Sequence, residues 1–149
     1  MTSIILLDSG PLGMLAHPRA DSVIVTWVND LLNTSSRLMI PEIADYEVRR
    51  ELLRANLQKS VSRLDDLKNT LEYLPLNTEA MLQAAAFWAK ARQTGLPTAQ
   101  DAALDGDMIL VAQATILGIA ESDPVIIATA NTRHLSRFAE AQLWHSIKG

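Results

Sequence analysis

An α/β fold, with a central, mostly parallel sheet flanked by helices, is predicted by three features of this sequence. Short continuous apolar runs at Ile4–Leu7 and Val125–Thr129 have the length of strands buried on both faces of a parallel sheet. Stretches of helical character alternate with the strands, which is the order that builds a parallel sheet with helices on both faces. Asp8 and Asn131 fall at or just beyond the carboxyl ends of these strands, where such sheets hold their ligands.

The elements follow in order. Ile4-Ile5-Leu6-Leu7 ends at Asp8, and Ser9-Gly10-Pro11 breaks the run, with proline suited to a first helical turn. Ser22–Leu32 reads as a helix and residues 37–40 as a second short strand. Pro41 opens a long helical stretch to about Leu57, a second helix covers residues 60–73, and Leu74-Pro75-Leu76 is a short extended piece. Asn77 or Thr78 can cap the next helix, which runs toward Thr94 and stops at Gly95-Leu96-Pro97. Asp105-Gly106-Asp107 precedes residues 108–119, which are apolar nearly all round and predict a buried helix against the sheet, with Asp107 at its start. A strand over Val125–Thr129, a short helix over residues 131–138 and an edge strand around Leu143-Trp144 complete the chain.

The 149 residues favour one domain spanning 1–149, and 48% hydrophobic against 20% charged residues predicts a packed chain, not a disordered one. No repeat, low-complexity segment or proline- and glycine-rich linker divides it. The absence of cysteine excludes disulfide scaffolds, thiolate zinc sites and cysteine nucleophiles, and fits a reducing cytoplasm. Met1-Thr2-Ser3 lacks the basic start of a signal peptide. The longest apolar run, residues 108–120, is interrupted by Gln113 and Thr115 and is too short for a bilayer, so a cytoplasmic protein without a membrane partner is expected. His17, His134 and His145 lack the spacing of a zinc site. The net charge of −4 argues against a broadly basic nucleic-acid binder, although a local basic face can hold phosphate and acids gathered at a metal count toward the same sum.

Three carboxylates stand out by position: Asp8 after the first strand, Glu47 in the helix after the second, and Asp107 at the start of the buried helix. Carboxylates gathered at one sheet edge repel one another unless a divalent cation neutralises them, and oxygen-only sites suit magnesium or manganese. Taken singly, each has another explanation. Asp8 equally suits hydrogen bonding to the Ser9-Gly10 turn. Asp105 and Asp107 alone are better read as capping a helix N-terminus. Glu47 alone is an ordinary solvated acid.

On a helix, Glu47, Arg50, Glu51, Arg54 and Gln58 share one face, with Val48, Leu52 and Ala55 to one side and Leu53 and Leu57 further round, available for burial. Two readings of the polar face stand side by side. It is either an exposed face paired as Arg50–Glu47 and Arg54–Glu51, or a metal-binding acid with two arginines placed to meet phosphate.

Four segments in order resemble one family, the PIN-domain ribonucleases, particularly the VapC-like toxins of type II toxin–antitoxin pairs. Ile4 to Ser9 is similar to its opening motif, and Ile40-Pro41-Glu42-Ile43-Ala44-Asp45-Tyr46-Glu47-Val48 to its second, with the functional acid at Glu47. Asp107-Met108-Ile109-Leu110-Val111-Ala112-Gln113-Ala114 resembles the third, and Ile126-Ile127-Ala128-Thr129-Ala130-Asn131-Thr132-Arg133-His134-Leu135 the last. The likeness runs from about Ile4 to Phe138. One departure stands out: many relatives have an acid where this chain has Asn131, which leaves the number of metal ions open, with Asp105 available to compensate.

The resemblance implies a PIN-like three-layer fold and a magnesium-dependent (or manganese-dependent) endoribonuclease. Asp8, Glu47, Asp107 and Asn131 are the expected catalytic residues, and Asp8, Glu47, Asp107 and Asp105 the expected metal ligands. Ser9, Arg50, Arg54, Thr129 and Arg133 are expected to meet substrate, with Arg137 a further candidate for RNA contact. An RNA substrate, a cognate antitoxin and a homodimer are the implied partners. Phe87 and Trp88, with Met81 and Leu82, suit either an interface or plain core. The competing reading is a catalytically degenerate PIN-like module that binds RNA or a protein partner, favoured by Asn131. A receiver domain lacks its acidic pair and a dehalogenase-like phosphatase its second aspartate, since Gly10 stands there.

Overall fold

A computed structural model describes residues 3–95 and 101–148. Among the described residues, β1 (Ile4–Leu7), β2 (Arg37–Pro41), β3 (Glu72–Leu74), β4 (Val125–Thr129) and β5 (Ala141–Leu143) form one sheet ordered β3-β2-β1-β4-β5. Every strand pair is parallel, so the edge strand expected at the C-terminus joins the sheet in the same sense as the rest. The helices are α1 (Ser9–Ala16), α2 (Ser22–Leu32), α3 (Glu42–Arg54), α4 (Gln58–Thr70), α5 (Thr78–Gln93) and α6 (Asp101–Ala120).

β1 shows why a continuous apolar run is needed in the middle of such a sheet. Successive side chains point to opposite faces. Ile5 and Leu7 therefore pack with Leu12, Ile24, Trp27, Val48 and Leu64 on the face covered by α1, α2 and α4. Ile4 and Leu6 pack with Leu110, Val111 and Ala114 of α6 on the other. α5 stacks outside α6 through Ala80 and Ala84 against Leu104, Met108 and Ala112. The result is the three-layer α/β architecture that the pattern predicts.

Polar residues inside the apolar segments act as pins. Gln113, which interrupts the longest apolar run, is buried; its Oε1 accepts from the Ile43 N–H at 3.4 Å and its Nε2 donates to the Leu74 carbonyl at 2.9 Å. It thereby ties α6 to the start of α3 and the end of β3. Asp45, also buried, accepts from the Tyr73 hydroxyl at 2.8 Å and from Arg49 Nε at 3.1 Å, and Arg49 reaches Asp65 on α4 at 2.8 Å. At the C-terminus, Trp27 Nε1 donates to the Ile147 carbonyl at 2.9 Å and its ring meets Trp144 edge-on at 5.4 Å.

Several expected boundaries move. α3 ends at Arg54, short of Leu57, because Asn56 takes a left-handed conformation with φ 62°. The Leu57 N–H then donates to the Leu52 carbonyl at 2.9 Å and the Asn56 N–H to Leu53 at 3.1 Å, the two bonds of a Schellman stop. Gln58 consequently begins α4 and is not on the Glu47 face of α3. Val48 is buried and Leu52 packs against the core, but Leu53, Ala55 and Leu57 are exposed. The extended piece after α4 is Glu72–Leu74, two residues earlier than expected, where Tyr73 reaches Asp45.

α6 begins at Asp101, so Asp105 and Asp107 lie in its second turn and cap nothing. Tertiary packing against α5 and the sheet carries the helix through Gly106, where local propensity suggested a start. Residues 131–138 hold only a 3-10 helix at Leu135–Arg137, because side-chain bonds at Thr129 and Asn131 shape the preceding loop. Asn77 caps α5 through the Ala80 N–H at 2.8 Å, and the expected stop at Leu96-Pro97 lies outside the described residues.

Candidate active site at the carboxyl ends of β1 and β4

The chain leaves β1 toward β2 and β3 on one side and returns to place β4 and β5 on the other, so the strand order reverses between β1 and β4. The carboxyl ends at such a reversal form a natural crevice. Asp8 and Thr129 stand at these two ends.

Asp8 continues the ladder, its N–H donating to the Ala128 carbonyl at 2.9 Å, and then caps α1, its Oδ1 accepting from the Ser9 N–H at 2.7 Å. The turn-bonding explanation of Asp8 is therefore correct for one oxygen only. Oδ2 accepts from the buried Thr129 hydroxyl at 2.7 Å. The Asn131 N–H donates back to Thr129 Oγ1 at 3.1 Å, and the Asn131 side-chain oxygen accepts from the Arg133 N–H at 3.0 Å. Asn131 is exposed, with one carboxamide oxygen engaged in its own loop.

Glu47 reaches this crevice from α3. A Cβ built on Gly106 would lie 2.5 Å from Glu47 Oε2, so the carboxylate lies directly against α6, one residue from Asp107. Burial pushes the Glu47 carboxyl up to about 7, the charges of Asp8 and Asp107 push the same way, and Arg50 opposes them. Asp107 is raised to about 6 by burial and then by Asp8. Three acids far apart in sequence thus share one electrostatic neighbourhood.

The other expected residues divide. Arg50 is exposed, stacks over the Tyr46 ring at 5.2 Å and is close enough to Glu47 to favour its charge, without an ion pair to it. Arg54 pairs with Glu51 at 2.9 Å, as the exposed-face reading expected. Asp105 is not brought to the cluster. It is exposed and lines the groove between α5 and α6 with Met81, Trp88 and Ile109. Two residues along a helix is a turn of about 200°, which sets Asp105 and Asp107 on opposite sides of α6. Phe87 is half-buried against Phe138, whereas Met81, Leu82 and Trp88 are exposed. Gly106 is the site residue that sequence reasoning did not single out; its one signal is an isolated glycine inside a helix.

Carboxylates and a hydroxyl are the donor set of a hard divalent cation. Among the described residues, no three acidic or imidazole groups stand close enough to cage an ion. The chemistry nevertheless fits one, since Glu47 and Asp107 are disfavoured as anions by burial and by their neighbours' charge, which Arg50 only partly offsets at Glu47.

A PIN domain family model matches residues 5–141. No curated protein matches the chain at a significant level. Among solved structures, the chain is similar to one in VapBC-1 from nontypeable Haemophilus influenzae, with 20% identity, a TM-score of 0.70, and coverage of 95% of this chain and 98% of that one. A chain in VapBC2 from Rickettsia felis, bound to a DNA fragment from their promoter, is 16% identical at a TM-score of 0.71, covering 93% and 97%. A chain in DNA-bound VapBC from Salmonella typhimurium is 20% identical at 0.69, covering 97% and 99%. At these identities the likeness is one of fold. No helix among the described residues is long and apolar enough to cross a membrane.

Proposed function

We propose that this chain, which belongs to the PIN domain family, is a magnesium-dependent endoribonuclease, a single nuclease domain over residues 1–149 that acts in the cytoplasm as the toxin of a toxin–antitoxin pair. The observation that carries this reading is the convergence of Asp8, Glu47 and Asp107 at the reversal of strand order, with the Glu47 carboxylate laid against Gly106 beside Asp107 and the charge of Asp8 raising both.

Asp8, Glu47 and Asp107 would hold magnesium or manganese, and Asp105, turned toward α5, is left out of the set. A bound ion of this kind acidifies water and stabilises charge on a displaced phosphate oxygen. The Thr129 hydroxyl fixes the orientation of Asp8, and Asn131, whose backbone N–H donates to the same hydroxyl oxygen, would orient water. Ser9, Arg50, Arg54 and Arg133 are the candidates to supply donors and positive charge for RNA phosphates, with Arg54 released from its exposed pair with Glu51 to do so. Water attacks the phosphodiester, so no side-chain nucleophile is required. Exposed single-stranded segments of RNA are the expected targets, since specific recognition of RNA falls mostly on such segments.

The toxin role extends the likeness to VapBC chains and implies a cognate antitoxin that covers the site. A homodimer would use exposed Met81, Leu82 and Trp88 on α5. The test is cleavage of a structured RNA pool with magnesium and with chelator, beside Asp8→Asn. Magnesium-dependent cutting lost in the variant supports the nuclease; equal cutting by both refutes the assignment. A binding-only module, the reading Asn131 favours, would retain RNA binding with no magnesium-dependent cutting.

A further inference from the structure

We infer that Gly106 is a positioning residue: its missing side chain is the recess in α6 that lets the Glu47 carboxylate stand beside Asp107. This rests on the proposed role of Glu47. The three heavy atoms nearest to a Cβ at residue 106 all belong to Glu47, with Oε2 at 2.5 Å, Cδ at 3.0 Å and Oε1 at 3.4 Å. Real Cβ atoms do not approach other atoms as closely as the first of these, so any other residue displaces the carboxylate.

Two facts give the recess a purpose beyond packing. Glycine inside a helix is less favourable than alanine, so a glycine in the second turn of a twenty-residue helix weakens it. The obstacle, moreover, is the end of a flexible side chain and not backbone. Alanine at 106 is therefore accommodated by Glu47 swinging aside, with the fold intact. Gly118 on the same helix is the control, since its Cβ would meet only Val125 Cγ2 at 3.9 Å, an ordinary contact.

The experiment compares the full chain with Gly106→Ala, Gly118→Ala, Glu47→Asp, Glu47→Ala and the doubles Gly106→Ala/Glu47→Asp and Gly106→Ala/Glu47→Ala. Readouts are Mn2+ affinity by calorimetry and metal-free melting temperature. Gly118→Ala should raise the melting temperature by about 1–4 °C and leave Mn2+ affinity unchanged. Gly106→Ala should keep the fold and weaken Mn2+ binding about 10- to 100-fold, the range for residues that orient a ligand. Glu47→Asp, shorter by one methylene, should weaken binding in the parent yet restore part of it in the Gly106→Ala background. Without metal, Gly106→Ala should stabilise the Glu47→Ala protein more than it stabilises the parent. Parental Mn2+ affinity in Gly106→Ala, or an equal gain in melting temperature in both backgrounds, would overturn the inference. Absence of Mn2+ binding by the parent would sink the metal reading instead, and the melting comparison would still decide the recess.

Discussion

The Thr129 hydroxyl donates to Oδ2 of Asp8 at 2.7 Å, joining residues 121 positions apart at the ends of two neighbouring parallel strands. Oδ1 is held by the Ser9 N–H, so both carboxylate oxygens are oriented before any ligand arrives. Thr129→Val keeps the shape of a buried residue and removes the donor. It should cost about 1.5–3 kcal/mol of stability by chemical denaturation, as for a hydrogen bond to a charged group. RNA cleavage should fall as well, and Thr129→Ser should recover most of both losses. Full activity in the valine variant would show that Asp8 needs no such support.

The pH dependence of stability follows from Glu47 and Asp107. Their carboxyl groups are raised to about 7 and about 6, so the folded chain binds more protons than the unfolded chain between ordinary carboxylate values and these. Their contribution is present in full at low pH and is lost as pH rises through about 6 and 7. In chelator, the melting temperature should therefore decline from pH 5 to pH 8 at this site, and Glu47→Gln should flatten the decline. Arg50→Ala should steepen it, because Arg50 favours the charged form of Glu47. Magnesium should stabilise most at pH 8, where both acids are ionised. A parent profile superimposable on that of Glu47→Gln would contradict the proposed coupling.

Gln113→Leu tests the polar pin in α6. The substitution leaves the Ile43 N–H and the Leu74 carbonyl without this partner, at a cost of about 1–3 kcal/mol for each group left unsatisfied. Urea melts should register the loss, and amide exchange should quicken around the start of α3. An unchanged midpoint would mean that water replaces the amide.

Trp27→Ala removes a ring that packs in the core under α2, meets Trp144 at 5.4 Å and bonds the Ile147 carbonyl. The expected loss is about 3–5 kcal/mol, enough to unfold a marginal chain, so expression and melting are measured together. Trp27→Phe should cost less, since it keeps part of the apolar contact while losing the N–H and the remainder of the indole. Equal losses would assign the stabilisation to the N–H and the part of the indole that phenylalanine lacks, not to apolar contact in general.

Much of the architecture was legible in local pattern. Ile4–Leu7 and Val125–Thr129 are apolar on both faces because both faces are covered, and a period of two inside an unbroken run requires nothing more. Ser22–Leu32 was legible from end to end, and Asn77 from its capping chemistry. Asp8, Glu47 and Asp107 stood out by position and by likeness to a family. Element ends were less legible, because they depend on one residue's conformation: Asn56 stops α3 in a left-handed turn that leucine-rich periodicity would have carried further. The start of α6 was hidden for the opposite reason. Acids around a glycine look like a helix beginning, and only the packing of α6 on α5 shows that the helix is already a turn old there.

Strand and helix types are therefore properties of short segments, set by side-chain periodicity and backbone preference, and the sequence carried them without help. The site is of another kind. Which acids meet depends on strand order, since the β1–β4 pairing brings Thr129 to Asp8, and on helix phase, which turns Asp107 inward and Asp105 toward α5. It also depends on a close approach that Gly106 alone among its neighbours permits, with Glu47 laid against a bare backbone. Charge repulsion and burial act through space, so the raised carboxyl groups of Glu47 and Asp107 exist only once the sheet has brought the three chain segments together.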